Sequence, residues 1–276
     1  MGAVITLTTD FGLSDGYVAA MKGVALGINP EAVIVDICHS IQPQNISQAV
    51  FVLSTVHEYF PERTIHLVVV DPGVGTKRRA IILRTPQADY VAPDNGVLSY
   101  IIRRYSSKQS DNHSHQLESC GNMEAIAITK PEFWRSPVST TFHGRDIFTP
   151  VAARLSLGIS PSTFGESVDS LVVLPVEGPE SLSDGTLIGH IIHIDHFGNL
   201  ITDIKNSDLQ EDTPEITIEV GGQSITGISH DYSAGKDPLA LIGSSSYLEI
   251  ALPSGNASDF LRVTTGDKVV IRQRRL

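Results

Sequence analysis

Apolar positions in the first 175 residues fall into two alternating textures. Short β-branched runs, Ala3–Thr8 and Ala32–Ile37, flank a helix-like stretch, Tyr17–Leu26. Ile46, Ala49, Val50, Leu53 and Val56 recur at helical spacing, which predicts a second helix over Ile46–Tyr59, with Asn45 as its N-cap and Pro61 just beyond its end. Ile65–Val70 is apolar apart from His66, the pattern of a central parallel strand covered on both faces, and Asp71 follows at its C-terminal end. Ala80–Leu83, Tyr90–Ala92 and Ile126–Thr129 read as shorter strands, and Asp146–Leu155 reads as a helix that contains Pro150. Ser106–Asn122, rich in Ser, His and Asn, reads as a surface excursion. The alternation predicts an α/β domain over residues 1–175, a mostly parallel sheet with flanking helices.

From about Gly185 the helical period disappears. Leu187–Ile194, Leu200–Ile204, Glu215–Val220, Ser224–Ile228, Tyr247–Leu252 and Lys268–Arg272 are short strands, and Gly221-Gly222 between two of them signals a tight hairpin. This predicts a small antiparallel β-barrel domain over residues 185–276, joined through the Pro175–Asp184 hinge. No internal repeat interrupts either part.

Composition narrows the function. The 276 residues are 41% hydrophobic and 18% charged, with mean hydropathy +0.04, an ordinary globular balance. A net charge of −11 repels phosphate backbones and anionic lipid heads, so nucleic acid and membrane are not expected partners. The basic run at 272–275 reads as a solvated tail. Cys38 and Cys120 match neither a metal spacing nor a disulfide framework, which fits a reduced cytoplasm. No apolar run approaches the roughly 18 residues that cross a bilayer, and no signal peptide opens the chain. The myristoylation-like start at Gly2 is better read as the first strand, and the sequons at Asn45, Asn112 and Asn256 mean little without a secretory signal.

Open parallel sheets bind ligands at the carboxyl ends of their strands. Four segments qualify there: Thr9-Asp10-Phe11-Gly12, Asp71-Pro72-Gly73-Val74-Gly75, Pro93-Asp94-Asn95-Gly96 and Phe142-His143-Gly144-Arg145-Asp146. Each joins a polar group to a glycine; an Asp in such a place is also a common turn former or helix cap. The glycine-rich turn after Val70 lacks the lysine and hydroxyl of a phosphate-binding loop. Arg78 and Arg79 follow seven and eight residues after Asp71, close enough for one guanidinium to fold back onto that carboxylate. Asp10, Asp71, Asp146, Asp195, His143 and His196 also permit a metal-dependent hydrolase, but no clustered ligand spacing appears and no metal is expected.

Taken together, Thr-Asp-Phe-Gly at 9–12, Cys-His at 38–39, Asp-Pro-Gly-Val-Gly at 71–75 with Arg78, Pro-Asp-Asn-Gly at 93–96, Phe-His-Gly-Arg-Asp-Ile-Phe at 142–148 and Ile-Asp-His-Phe-Gly-Asn at 194–199 resemble the S-adenosyl-L-methionine (SAM) hydroxide adenosyltransferases, relatives of the SAM-dependent chlorinase and fluorinase. The resemblance spans nearly the whole chain. It implies an α/β domain joined to a β-barrel in a homotrimer with active sites between subunits, and a reaction in which water or hydroxide displaces methionine from C5′ of SAM to give adenosine and L-methionine, with SAM as substrate and no cofactor. It further implies Asp71, Arg78 and His143 as the catalytic set, Asp10 on the ribose diol, Asp15 and Asp195 on the methionine ammonium, and Phe197 and Asn199 on the adenine. Asn95, Ser245, Ser246, Tyr247, Glu249 and Ala257 would supply further substrate contacts. The 245–249 match is looser, because the halogenases carry Ser-Arg where this chain reads Ser-Ser.

The chemistry agrees. A sulfonium departs as a neutral thioether without acid assistance, so the protein must position water in line with the C–S bond and accept its proton. Asp71 or His143 could take that proton, and the sequence leaves the choice open. Halide transfer is the nearest rival. A carboxylate at about 4 Å from a desolvated halide costs roughly 4 kcal/mol at an effective dielectric of 20, and Asp71 stands where fluorinase-type relatives carry an uncharged residue. A non-catalytic adenosine- or SAM-binding sensor is the rival from another class; it leaves Asp71, Arg78 and His143 without a role.

Overall fold

A computed structural model describes residues 2–106, 115–118, 122–175, 178–209, 215–233 and 235–274. The sequon at Asn112, His113 and Cys120 lie outside the described residues. The chain divides into two compact units, Met1–Pro175 and Val176–Leu276.

The first unit is built on β1 (Val4–Thr9), α1 (Tyr17–Ile28), β2 (Val33–Cys38), α2 (Ile46–Val56), β3 (Thr64–Val69), β4 (Ala80–Arg84), β5 (Ala88–Pro93), α3 (Ser99–Tyr105), β6 (Gln116–Glu118), β7 (Glu124–Ile128), α4 (Thr149–Leu155), β8 (Gly165–Ser167) and β9 (Ser170–Val172). Its seven-stranded sheet runs β2-β1-β3-β5-β4-β7-β8, and β6 pairs with β9 apart from it. The β2, β1, β3 and β5 strands are parallel, the first three through the helical crossovers α1 and α2 and β5 by way of β4, and β4, β7 and β8 continue the sheet antiparallel. Side chains along β3 alternate between two cores: Ile65, Leu67 and Val69 pack with α1 and α4, while Val68 and Val70 pack with α2 and α3. This two-sided cover explains the unbroken apolar run.

Two predicted helices change character partway. Asn45 caps α2 by accepting the Gln48 N–H at 2.9 Å, but the helix tightens into a 3₁₀ turn over His57–Tyr59 before Pro61. The stretch beginning at Asp146 lies in a π-helical turn, Gly144–Phe148, and the regular helix starts only at Thr149, with Pro150 in its first turn where a missing N–H costs nothing. Within the polar excursion, 116–118 forms a strand.

The second unit carries β10 (Glu180–Ser181), β11 (Leu187–Ile194), β12 (Leu200–Lys205), β13 (Glu215–Val220), β14 (Gln223–Thr226), β15 (Leu239–Ile242), β16 (Tyr247–Ala251), α5 (Ala257–Leu261) and β17 (Lys268–Arg274). Its antiparallel sheet runs β14-β13-β17-β11-β12-β16-β15, with β10 on β11, and a bridge from Ser229 to Leu241 brings its margins together so that the sheet is nearly a barrel. Ile191, Leu200, Ile204, Ile218, Leu248, Ile250, Val269 and Ile271 fill its interior. The β13–β14 hairpin turns at Gly221-Gly222 as predicted. The five-residue α5, capped by Asn256 accepting the Asp259 N–H at 2.9 Å, is too short to leave a periodic signal. Among the described residues no helix is long and apolar enough to cross a membrane.

One buried group makes this fold acid-sensitive. His66 is wholly buried, its Nδ1 2.8 Å from Thr6 Oγ1 and its ring stacked on Tyr90 with centroids 4.9 Å apart. Burial, with the neighbouring His57, pushes its pKa down to about 3. The folded form thus refuses a proton that the unfolded chain accepts, so stability is complete above the unfolded value near 6.5 and declines by up to about 1.4 kcal/mol per pH unit as pH falls from there toward 3. Denaturant melts between pH 7 and pH 4 should show this slope flattened in His66→Phe; equal slopes in both proteins would remove His66 as the cause.

Candidate active site

The parallel half of the sheet delivers Asp10 after β1 and Asp71 after β3. From Asp71 the chain turns tightly, Val74 N–H to the Asp71 carbonyl at 3.2 Å and Thr76 N–H to the Gly73 carbonyl at 3.1 Å, and brings Arg78 back. Arg78 Nε lies 2.9 Å from both Asp71 oxygens, and Nη2 also donates to Oδ2. The two side chains are only 5% and 11% exposed, so this is an ion pair held largely out of water. The guanidinium carbon sits 5.0 Å from the centre of the Phe148 ring.

The same Nη2 lies 3.0 Å from His143 Nδ1. A guanidinium has only protons to offer, so Nδ1 accepts and the ring is neutral with its proton on Nε2. Burial lowers the His143 pKa below its ordinary 6.5 and the Arg78 charge lowers it further, against the pull of Asp71 and Asp146. The sequence-predicted Asp–Arg–His set is thus assembled, with arginine as its centre.

Two devices hold His143 there. Gly75 has φ +77°, and a Cβ on it would lie 2.6 Å from the Thr140 carbonyl oxygen, so the Asp71 turn closes tightly against the segment leading to His143. That segment is anchored by Asp146, whose fully buried carboxylate accepts the Ser139 N–H at 2.8 Å and both Arg145 Nε (2.7 Å) and Nη2 (2.8 Å). Burial alone would raise the Asp146 pKa, but these bonds hold it below the usual carboxylate range. Arg145 in turn lies over Phe142, its guanidinium carbon 4.8 Å from the ring centre.

Other predicted residues take varied positions. Asp10 Oδ2 accepts the Gln44 N–H at 2.8 Å, with Gln44 held at φ +66°. Asp15 lies exposed just before α1. Asn95 spends its amide on backbone, donating to the Val70 carbonyl at 2.9 Å and accepting the Val97 N–H at 3.1 Å. Asp94 pairs with Arg79, Nε at 2.8 Å, and accepts the Val172 N–H at 2.8 Å.

In the second unit, Asp195 folds a turn onto itself: Oδ1 accepts the N–H groups of Phe197 (2.9 Å) and Asn199 (2.8 Å), and Oδ2 accepts Asn199 Nδ2 at 3.0 Å. Gly198, at φ +86°, lies so close to Asn256 that a Cβ would fall 2.2 Å from its side chain. The turn leaves the Phe197 ring 73% exposed. Ser245 and Ser246 lie in the β15–β16 turn, Ser246 at φ +64°, and Tyr247 opens β16. Glu249 is buried and accepts the Tyr232 hydroxyl at 2.5 Å; burial raises its pKa, Tyr232 opposes and the nearby Asp195 adds to the rise. Ala257 is wholly buried in the core of this unit, its methyl packed against the barrel interior. Tyr232 escapes sequence reasoning because it stands in a turn-rich stretch with no motif around it, and Gln44 escapes it as well. Among the described residues no three His, Cys, Asp or Glu side chains converge as a metal-ligand set.

Residues 5–165 match the N-terminal domain model of the SAM hydroxide adenosyltransferases, and residues 189–270 match the C-terminal one. The chain belongs to the SAM hydroxide adenosyltransferase family. It is 35% identical to a protein of Salinispora tropica named (R)-S-adenosyl-L-methionine hydrolase, across 96% of each chain. It is 28% identical to a fluorinase of Nocardia brasiliensis, across 75% of this chain and 73% of that one. Among solved structures, an uncharacterised conserved protein from Thermotoga maritima superposes with a TM-score of 0.85 at 34% identity, over 98% of this chain and all of that one.

The close approach at Gly75 carries a stability consequence. Gly75→Ala forces a Cβ against the Thr140 carbonyl from a left-handed backbone and should cost about 1–3 kcal/mol, read from the shift of a urea midpoint at constant slope. An unchanged midpoint would mean that the two loops are not locked together.

Proposed function

We propose that the protein hydrolyses SAM to adenosine and L-methionine by in-line attack of water at C5′. The observation that carries this reading is the Arg78 guanidinium shared between the Asp71 carboxylate and His143 Nδ1. In that arrangement His143 presents an N–H at Nε2 and steers the water by donating to its oxygen, while Asp71, fixed by Arg78, takes the proton. The water oxygen bonds to C5′, the C5′–S bond breaks, and its electron pair leaves on sulfur as the neutral thioether of methionine. The proton later passes from Asp71 to solvent. No cofactor is required.

The binding roles are those that the family resemblance implies. Asp10 receives the ribose hydroxyls; Asp15 and Asp195 face the methionine ammonium; Phe197 offers an exposed ring and Asn199 an amide to the adenine. Asn95, Ser245, Ser246, Tyr247 and Glu249 are assigned to the remaining contacts, and any contribution from Ala257 comes through its backbone. The acidic chain suits a substrate bearing a sulfonium and an ammonium. We assign it to the cytoplasm as a homotrimer with active sites between neighbouring subunits. A halide in place of water is disfavoured by the Asp71 charge.

Incubation with SAM in water and in excess chloride or fluoride, followed by chromatography, should yield adenosine and methionine; 5′-halo-adenosine would move the protein to the halogenase reading. Asp71→Asn and His143→Ala should each lower kcat by about 10²–10⁴-fold while SAM affinity stays within an order of magnitude. Unchanged turnover in both would sink the catalytic assignment. Because the neutral ring is the working form and its pKa lies below 6.5, kcat/KM should hold down to that pH and fall only on further acidification. An acid limb centred above 6.5 would overturn the lowered pKa, and a rate that rises on acidification would overturn the neutral imidazole as the working form.

A further inference from the structure

We propose that His39 is a positioning residue for Asp10, acting through Thr9; this rests on the reading of Asp10 as the ribose-binding carboxylate. The parallel strands β1 and β2 end side by side, Thr8 opposite Cys38, so the residues leaving them meet. Asp36 Oδ1 lies 3.0 Å from His39 Nε2, and Lys22 Nζ holds the other Asp36 oxygen at 2.5 Å. The Asp36 carboxylate approaches Nε2 at ion-pair distance without hydrogen-bond alignment, and its charge favours the ring proton on that nitrogen, which leaves Nδ1 as an acceptor for the Thr9 hydroxyl, 2.8 Å away. Thr9 Oγ1 is then free to accept the Phe11 N–H, at 3.3 Å.

The order carboxylate, imidazole, hydroxyl is that of a hydrolytic triad, but Thr9 is wholly buried and its hydroxyl cannot reach a substrate. Its partners are instead the His39 ring and the N–H of Phe11, the residue that follows Asp10. His39 adds a second tie, its carbonyl accepting the Gly12 N–H at 2.7 Å, and the same segment ends in Gln44, whose N–H holds Asp10 Oδ2 at 2.8 Å. Residues before and after Asp10, and its carboxylate, are therefore all fastened to the stretch from His39 to Gln44. The Cys-His pair at 38–39 thereby gains a purpose, which is to aim a carboxylate at a vicinal diol.

The test measures kcat and KM for SAM and for its 2′-deoxyribose analogue in Thr9→Val, Thr9→Ser, His39→Ala and Asp10→Ala. Thr9→Val and His39→Ala should raise KM for SAM roughly tenfold with kcat within about threefold, and should erode the preference for the ribose over the deoxyribose substrate. Thr9→Ser should restore both values, and Thr9→Val placed on Asp10→Ala should cost less than about twofold more, since the carboxylate it aims is gone. Should Thr9→Val fail to fold, His39→Gln, which keeps a donor for Asp36 and removes Nδ1, carries the same expectation. Unaltered KM and ribose preference in a variant that still hydrolyses SAM, or an undiminished loss in the Asp10→Ala background, overturns the proposal alone. A wild-type protein inert toward SAM would instead overturn the functional reading beneath it.

Discussion

The first unit is organised around one constraint: a guanidinium can only donate. Arg78 reaches a carboxylate and a ring nitrogen from the same fork, so neither acceptor can change its protonation or move without altering what the other sees. Lysine could not replace it, because a single ammonium lacks the planar fork that meets two Asp71 oxygens while turning an edge to His143. The nearby Phe148 ring and the shielding of both charged groups from water keep the attraction strong.

The loops around that pair follow from the same logic. None of them is regular structure, and each is fixed by a polar anchor: Asp146 under the segment before His143, Asn95 across the exit of β3, His39 beside the exit of β1. Asp195 does the corresponding work in the second unit, its carboxylate closing the turn that displays Phe197. A rigid sheet with loops pinned by satisfied carboxylates keeps functional side chains within narrow tolerances while leaving them accessible.

How far the chain reveals this depends on distance along the sequence. The β3 strand is legible because cover on both faces leaves an apolar run, and the Asp71–Arg78 pair is legible because seven residues of glycine-rich turn suffice to fold one back on the other. Contacts between distant segments leave no such mark. Nothing in the hydrophobic pattern sets the direction of β4, β7 and β8, and three-residue strands such as β8 and β9 are shorter than any usable period. Gln44 carries no glycine-like signal for its left-handed backbone, and Tyr232 meets Glu249 only once the barrel has formed. His143 stands out by its motif, but its tautomer requires the position of Arg78.

The order of the seven-stranded sheet has a consequence for solubility. It terminates on β2 at one side and on β8 at the other, and an open strand invites pairing with another polypeptide. β8 offers only three residues to an incoming strand, too few to template it. β2 is six residues long, and its margin carries the charged couple Lys22–Asp36. A strand added there would lie beside that charged couple, and removing water from it would cost the newcomer free energy.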